Sequence, residues 1–363
     1  MLETMGDTRM DEQEETDSES DNKGSRLLGY GTLYILALED PSGGKVPPFY
    51  KIGVTTGPLS RRVRSLQTGN PFRIIVTHHV EMDGCEVVEK TLHEMFSKNR
   101  RILEWFSLTD LELEEAIEKA HELKNEFEDL VSQVRDLDLI SNVTAPIQPT
   151  EESVSLYQEA LNLESQKIRL GLRRAILRSE LEGMTHGSRG IDGITKVMIY
   201  DSKTTFKIRN LKSQYPDIYE KFMTAKKRST SLKLLNVPTK STFTVEFEKM
   251  KKSKKDSISK EDAKMTSSTV ERNQEAIDLH SEYIALSADI GDVKRDLRVL
   301  TLKMKVICGD AEGIIGICEY KRDEKRAFDK TFFEVEYPDL YSSLKTESPR
   351  RRVFQVSKSR DYI

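Results

Sequence analysis

Residues 31–106 carry side chains suited to phosphodiester hydrolysis. They include an aromatic hydroxyl at Tyr34, a lysine at Lys51, an arginine at Arg62 and a carboxylate at Glu89. Cleaving a phosphodiester requires an activated water, positive charge at the phosphate and help for the leaving oxygen. These residue types could supply those functions together with one hydrated metal ion.

Glu89 is the candidate metal ligand. It lies on a predicted helix, and Mg²⁺ (or Mn²⁺) needs few protein oxygens because it keeps most of its waters. The alternative is an ordinary exposed glutamate, which the residue taken alone would favour. Tyr34 lies on a predicted strand and could orient or deprotonate the attacking water. A half-buried strand tyrosine is an equally common use of that residue.

Lys51 and His93 each allow several roles. Lys51 could act as a base, a proton shuttle or a phosphate clamp, because crowding and burial can change the charge of a lysine. His93 lies one helical turn after Glu89 and could be catalytic by orienting that carboxylate or a water. Packing or support is the favoured role for a lone histidine on a half-buried helix.

The arginine is ambiguous by one position. Counting forward from Gly53 selects Arg61, whereas counting back from Leu66 selects Arg62. We favour Arg62, because the apolar residues of a helix should set its frame. A guanidinium there would stabilise the charge that develops on the phosphate.

Five short motifs in this region resemble the GIY-YIG nuclease superfamily. The likeness is to the branch named after a phage T-five open-reading-frame DNA-binding domain and a meiotically up-regulated yeast gene. It implies a Mg²⁺- or Mn²⁺-dependent DNA endonuclease or nickase, or a non-cleaving DNA-binding protein, since branch members are often described only as DNA-binding. Lysine replaces the second tyrosine of the superfamily name, as is usual in this branch. The motifs are Gly31-x-x-Tyr34, Lys51-Ile-Gly53, Leu66-Gln-Thr-Gly-Asn-Pro71, Glu89-x-x-Leu-His93 and Glu104-Trp-Phe106.

Hydrophobic periodicity predicts the elements that position these residues. Residues 32–38, 49–55 and 72–80 read as strands, and residues 58–66 and 85–96 as helices. The predicted fold class is α+β. A small three-stranded antiparallel GIY-YIG-like sheet with flanking helices comes first, followed by a long helix and two helix-hairpin-helix repeats.

The repeats are indicated by two matched motifs. Residues 190–194 match residues 313–317, and residues 215–219 match residues 337–341. They weakly resemble a segment of YqaJ-type phage exonucleases, and we interpret them as non-catalytic modules that position DNA or a partner. The predicted order is an acidic disordered tail (1–27), the GIY-YIG-like domain (28–108), an amphipathic connecting helix (109–140), a linker (141–151), repeat 1 (152–235), a lysine-rich linker (236–270) and repeat 2 (271–363).

The charge distribution predicts DNA as a partner. The net charge is −4, but residues 1–24 hold nine acids against two bases, so the remainder is basic. Lysine and arginine clusters attract the phosphate backbone, although solvated charge is the alternative. The candidate DNA-contacting residues are Arg64, Lys98, Arg100, Arg101, Lys226, Lys227, Arg228, Arg350, Arg351 and Arg352.

The remaining composition excludes several classes. The three cysteines form no C-x-x-C pair, so neither a disulfide framework nor a zinc site is predicted. No apolar run of about 18 residues exists, so no membrane span is expected. We expect an intracellular protein, cytoplasmic or, in a eukaryote, nuclear. Residues 109–140 or the repeats could also form a homo-oligomer, which leaves an oligomerising scaffold as a third function class.

Overall fold

The computed structural model describes residues 27–44, 46, 48–185, 187–259, 268–348 and 351–358. The chain divides into two compact units, Met1–Lys124 and Asn125–Ile363. The predicted acidic tail lies outside the described residues except for its last position.

A five-stranded antiparallel sheet organises the first unit, in the order β3-β1-β2-β5-β4. The sheet therefore has two strands more than the three that were predicted. Strands β4 and β5 have three residues each, too few to show an alternating pattern in sequence. The strands are β1 (Tyr30–Glu39), β2 (Phe49–Thr55), β3 (Arg73–Asp83), β4 (Arg100–Ile102) and β5 (Trp105–Ser107).

Two helices flank this sheet. Helix α1 (Leu59–Gln67) begins directly after Pro58, a residue well suited to a helix start. Its apolar residues pack on the face of the sheet that carries Tyr34. Helix α2 (Cys85–Met95) contacts β1 and β2.

Helix α3 (Asp110–Leu139) is the long helix predicted for residues 109–140. A capping box begins it, because Glu112 Oε2 accepts from Thr109 N at 2.8 Å and Thr109 Oγ1 accepts from Glu112 N at 3.3 Å. Its apolar face, including Ala120 and Val134, is buried within the single chain.

Two long antiparallel helices form the centre of the second unit. Helix α4 (Glu151–Met184) lies against helix α8 (Gln274–Cys308). Arg173 Nε is 2.7 Å from Glu282 Oε1, and Ala160 packs with Leu297, so the start of each helix meets the end of the other.

The strands of the second unit join its two halves. Strand β6 pairs with β12, β7 with β11, and β8 with β10, all antiparallel. The predicted hairpin within each repeat is therefore wrong, apart from a two-residue pairing of β9 with β10 in the described residues. Turn signals are local, whereas the partner of each strand lies far away in sequence. The strands are β6 (Thr195–Tyr200), β7 (Lys203–Phe206), β8 (Met223–Leu234), β9 (Gly313–Ile314), β10 (Cys318–Phe328), β11 (Lys345–Ser348) and β12 (Arg351–Val356).

Short helices follow the same order in each half of this unit. Each Tyr-Pro-Asp turn ends one short helix and starts the next, with proline at the first helical position. Aromatic side chains from both halves, including Phe222 and Phe333, pack into one cluster. The helices are α5 (Ile208–Gln214), α6 (Pro216–Lys221), α9 (Lys330–Glu336) and α10 (Pro338–Ser343).

The lysine-rich linker predicted for residues 236–270 contains helix α7 (Thr244–Ser259), which packs on α4. The prediction of a plain linker was wrong, because the lysine run hides an apolar stripe. Phe243 and, at helical spacing after it, Phe247 and Met250 are less exposed than their neighbours. In the described residues, no helix is long and apolar enough to cross a membrane.

Candidate active site

The first element of the site is Tyr34 on the central strand β1. It lies directly opposite Gly53 on β2 and is fully buried. A Cβ atom at Gly53 would come within 2.7 Å of the Tyr34 hydroxyl, so only glycine leaves room for the ring. Lys51 lies two residues from Gly53 on β2, and its side chain is therefore on the same face of the sheet.

Helix α1 brings Arg62 to this face. Arg62 Nε donates a hydrogen bond to Tyr34 Oη at 3.1 Å. The frame of the helix is set by Val63 and Leu66, which pack in the same apolar cluster as Tyr34. Arg61, the neighbouring candidate, is exposed.

Arg62 keeps most of its hydrogen-bonding capacity. Within the described part of the chain, the bond from Nε to Tyr34 is the only hydrogen bond of the Arg62 side chain. Both Nη groups are therefore available to a bound anion such as phosphate. The hydrogen bond to Tyr34 is the main reason that the pKa of Arg62 is raised.

Tyr34 is held as a neutral phenol. Burial is the largest cause of its raised pKa, which the charges of Glu104 and Glu89 raise further and Arg62 partly offsets. A neutral phenol that accepts a hydrogen bond from Arg62 still has its own proton to donate. Tyr34 therefore fits the orienting role better than the role of a base that takes a proton from water.

Lys51 has a specific partner that the sequence did not reveal. Its side chain is buried, and its ammonium forms a salt bridge with the carboxylate of Glu104, directly before β5. The carbonyl of Glu104 accepts from Ile52 N at 3.2 Å, and Trp105 pairs with Lys51 across β2 and β5. The sequence identifies Glu104 only as the first residue of the Glu104-Trp-Phe106 motif. The need of a buried lysine for a counter-ion is the one signal that could have pointed to such a partner.

Helix α2 supplies Glu89 and His93. Glu89 is half-buried, and its charge raises the pKa of both Tyr34 and Arg62. His93 Nε2 lies 3.0 Å from the carbonyl of Ile52, and its ring packs on Phe106. Burial is the largest cause of the lowered pKa of His93. These contacts favour a supporting role for His93 over a catalytic one.

The donor set suits a hydrated divalent cation. Among the described residues, no group of three or more His, Cys, Asp and Glu side chains could hold a metal ion. A single carboxylate, Glu89, fits Mg²⁺ or Mn²⁺, which take other ligands from water and phosphate. It does not fit the closed side-chain sites of zinc.

The residues predicted to contact DNA fall into three groups. In the first unit, Arg64, Lys98, Arg100 and Arg101 are exposed. Arg352 forms an ion pair with Glu182 at 3.0 Å, which favours a structural role for it. The rest lie in strands whose side chains are not described at these positions or, for Arg350, outside the described residues: Lys226, Lys227, Arg228, Arg350 and Arg351.

Residues 31–121 match the family model of the T5orf172 domain. The match indicates a GIY-YIG-like domain that is nuclease-like or DNA-binding, and it confirms the resemblance expected for this region. It extends past the predicted boundary at residue 108 and includes the first turns of α3. The suggested likeness of the repeats to YqaJ-type exonucleases finds no support. None of the curated proteins and none of the solved structures matches the chain.

Proposed function

We propose that the chain is a metal-dependent DNA endonuclease or nickase whose first unit hydrolyses phosphodiester bonds. The observation that carries this proposal is the hydrogen bond from Arg62 to Tyr34. It fixes a cation with two available donor groups beside a neutral hydroxyl. Both side chains lie within the residues matched by the T5orf172 domain.

Each side chain of the site has a separate role in the proposed reaction. The two Nη groups of Arg62 bind the phosphate and stabilise the charge that develops on it. The Tyr34 hydroxyl orients the attacking water, and Lys51 adds a fixed positive charge. Glu89 would hold the metal ion. Mg²⁺ or Mn²⁺, when bound, supplies charge neutralisation and lowers the pKa of a water.

Nicking of a supercoiled plasmid tests this proposal. The purified full-length chain is incubated with plasmid and Mg²⁺, Mn²⁺ or a chelator, and DNA binding is measured in the same samples. We expect relaxed or linear DNA with either metal and none with the chelator. Binding without cleavage under every divalent metal would refute the endonuclease proposal.

A second candidate is a DNA-binding protein that retains the fold without the chemistry. The replacement of a second tyrosine by Lys51, whose ammonium is paired with Glu104, favours this alternative. It predicts binding that weakens steeply with salt, since Lys and Arg contacts to phosphates release counter-ions. It also predicts that Glu89→Ala leaves the behaviour of the protein unchanged.

We also propose that the second unit positions the first on DNA or on a partner. The lysine and arginine clusters of its sequence, which would attract the phosphate backbone, support a binding role. Measuring DNA affinity of the full chain with Lys226, Lys227 and Arg228 replaced by serine tests this role. Unchanged affinity and unchanged salt dependence would contradict it.

A further inference from the structure

We infer that Glu104 is a positioning residue of the candidate site, whose carboxylate holds Lys51 as a fixed ammonium on the face of the sheet that carries Tyr34. The consequence for cleavage rests on the proposed function. The pairing itself rests on the arrangement of β1, β2 and β5.

The first argument is the burial of Lys51. Only 8% of its side chain is exposed, against 41% for the side chain of Glu104. A buried lysine without an anionic partner tends to give up its proton, since the charged form is poorly solvated. Glu104 is the carboxylate that offsets this cost.

The second argument is that the sheet itself fixes Glu104. Its carbonyl accepts a hydrogen bond from the backbone of Ile52, the residue after Lys51. The next residue, Trp105, lies opposite Lys51 in the ladder between β2 and β5. The carboxylate is therefore placed by backbone pairing rather than by a loose loop.

The third argument is the reach of the Glu104 charge. It contributes to raising the pKa of Tyr34 and of Arg62, and it opposes the lowering of the pKa of His93. One exposed carboxylate thus acts on side chains from β1, α1 and α2. The charged or titratable groups that act on the pair or its neighbours are Tyr34, Arg62, Glu89, His93 and Arg100.

This pairing selects among the roles that the sequence left open for Lys51. A protonated amine has no lone pair with which to accept a proton, so Lys51 is not the base. It serves as a fixed cation near the phosphate. Replacing Glu104 should therefore reduce the rate of the chemical step more than the affinity for DNA.

Side-chain ¹⁵N NMR of lysine tests the pairing of Lys51 with Glu104 without relying on activity. The Lys51 signal is assigned with Lys51→Arg, and spectra of wild type and Glu104→Gln are followed from pH 6 to 9.5. We expect the Lys51 side-chain signal of Glu104→Gln to differ from that of wild type, because the amine has lost its ion-pair partner. Identical signals in the two proteins would overturn the inference.

Kinetics give the functional readout. We expect Glu104→Gln to lower kcat for plasmid nicking about 10²-fold, with a DNA affinity close to wild type. Glu104→Asp, which keeps the charge, should recover part of the rate. Wild-type kcat in Glu104→Gln would overturn the inference. An inactive wild type would refute the proposed function instead, and the NMR comparison would still decide the role of Glu104.

Discussion

Each unit of the protein contains a tyrosine beside an arginine, and the two pairs differ in what the arginine has left to offer. In the first unit, the guanidinium of Arg62 makes one hydrogen bond to a described residue, Tyr34. In the second unit, Arg322 lies 3.7 Å over the ring of Tyr320, and all three of its guanidinium nitrogens donate to backbone carbonyls, including that of Leu137 at 3.0 Å.

The paired lysines show the same contrast. Lys305 is buried and donates to both oxygens of Asp138, at 2.9 and 3.1 Å, and the same carboxylate accepts from Tyr320. Lys51 also has a carboxylate partner, but Glu104 is substantially exposed. The cluster in the second unit (Tyr320, Arg322, Lys305 and Asp138) pairs its own polar groups and connects the ends of α3 and α8. The cluster in the first unit (Tyr34, Arg62, Lys51 and Glu104) leaves hydrogen-bond donors for a ligand.

Residue type alone therefore does not define a site. Both clusters contain a tyrosine, a lysine, an arginine and a carboxylate, and only one of them leaves an arginine largely unsatisfied. A fully satisfied polar cluster contributes to stability. An incompletely satisfied one has capacity to bind a substrate.

The largest expected effect separates the two arginines by activity. Arg62→Ala should lower the single-turnover nicking rate by about 10²–10³-fold, because it removes the donors aimed at the phosphate. The melting temperature should change little. The matched control is Arg61→Ala, which removes an exposed neighbour of equal charge. Equal loss of rate in the two variants would mean that net charge, not position, matters.

The reverse effect is expected for Arg322. Arg322→Ala leaves backbone carbonyls at the ends of α3 and α8 without a donor and should cost about 2–3 kcal/mol of unfolding free energy in the second unit. The helical signal at 222 nm should be lost at lower urea. Trp105 is the only tryptophan and reports on the first unit, so its fluorescence transition should stay unchanged. If Arg322→Ala lowered the nicking rate as much as Arg62→Ala, the proposed difference in role between the two arginines would be wrong.

A smaller effect is expected for Tyr34→Phe, which keeps the ring and removes the hydroxyl. We expect roughly tenfold slower nicking, which corresponds to the loss of one hydrogen bond of about 1.4 kcal/mol to the attacking water. The raised pKa of Tyr34 means that the phenol stays neutral past the ordinary tyrosine value of 10.0. In a pH titration followed by phenolate absorbance, the difference between wild type and Tyr34→Phe should therefore appear above that pH. A missing component below pH 10 would show that Tyr34 ionises readily and could act as a base.

The smallest effect concerns His93 and pH. Its folded pKa is lowered below the ordinary 6.5, so its neutral form stabilises the first unit fully above that pH. This contribution is lost as the pH falls below 6.5 and through the folded pKa. Urea unfolding followed by Trp105 fluorescence should show less acid destabilisation in His93→Gln than in wild type. Parallel pH dependence in the two proteins would contradict this assignment.

The central geometry of the site could be predicted from sequence because local patterns determine it. Tyr34 and Gly53 lie on two apolar, β-prone segments, and the helix frame set by Val63 and Leu66 distinguishes Arg62 from Arg61. These signals act over a few residues. They are the ones that a sequence carries most strongly.

The features that escaped prediction depend on pairing between distant segments. Glu104 reaches Lys51 because the three-residue strand β5 docks on β2, and so short a strand has no periodicity to detect. The exchange of strands between the halves of the second unit likewise depends on partners that no turn signal identifies. Helix α7 was hidden because its lysines dominate the composition while Phe247 and Met250 supply the buried stripe.

The most direct test of a catalytic site in the first unit is the single-turnover rate of Mg²⁺-dependent nicking at saturating protein for wild type, Glu89→Gln and Glu94→Gln. Glu94 lies on the same helix and is exposed, so its variant controls for the loss of one helix charge. We predict that all three proteins bind the plasmid equally, that Glu94→Gln nicks at the wild-type rate, and that Glu89→Gln loses nicking. Nicking by Glu89→Gln at the wild-type rate would contradict the account.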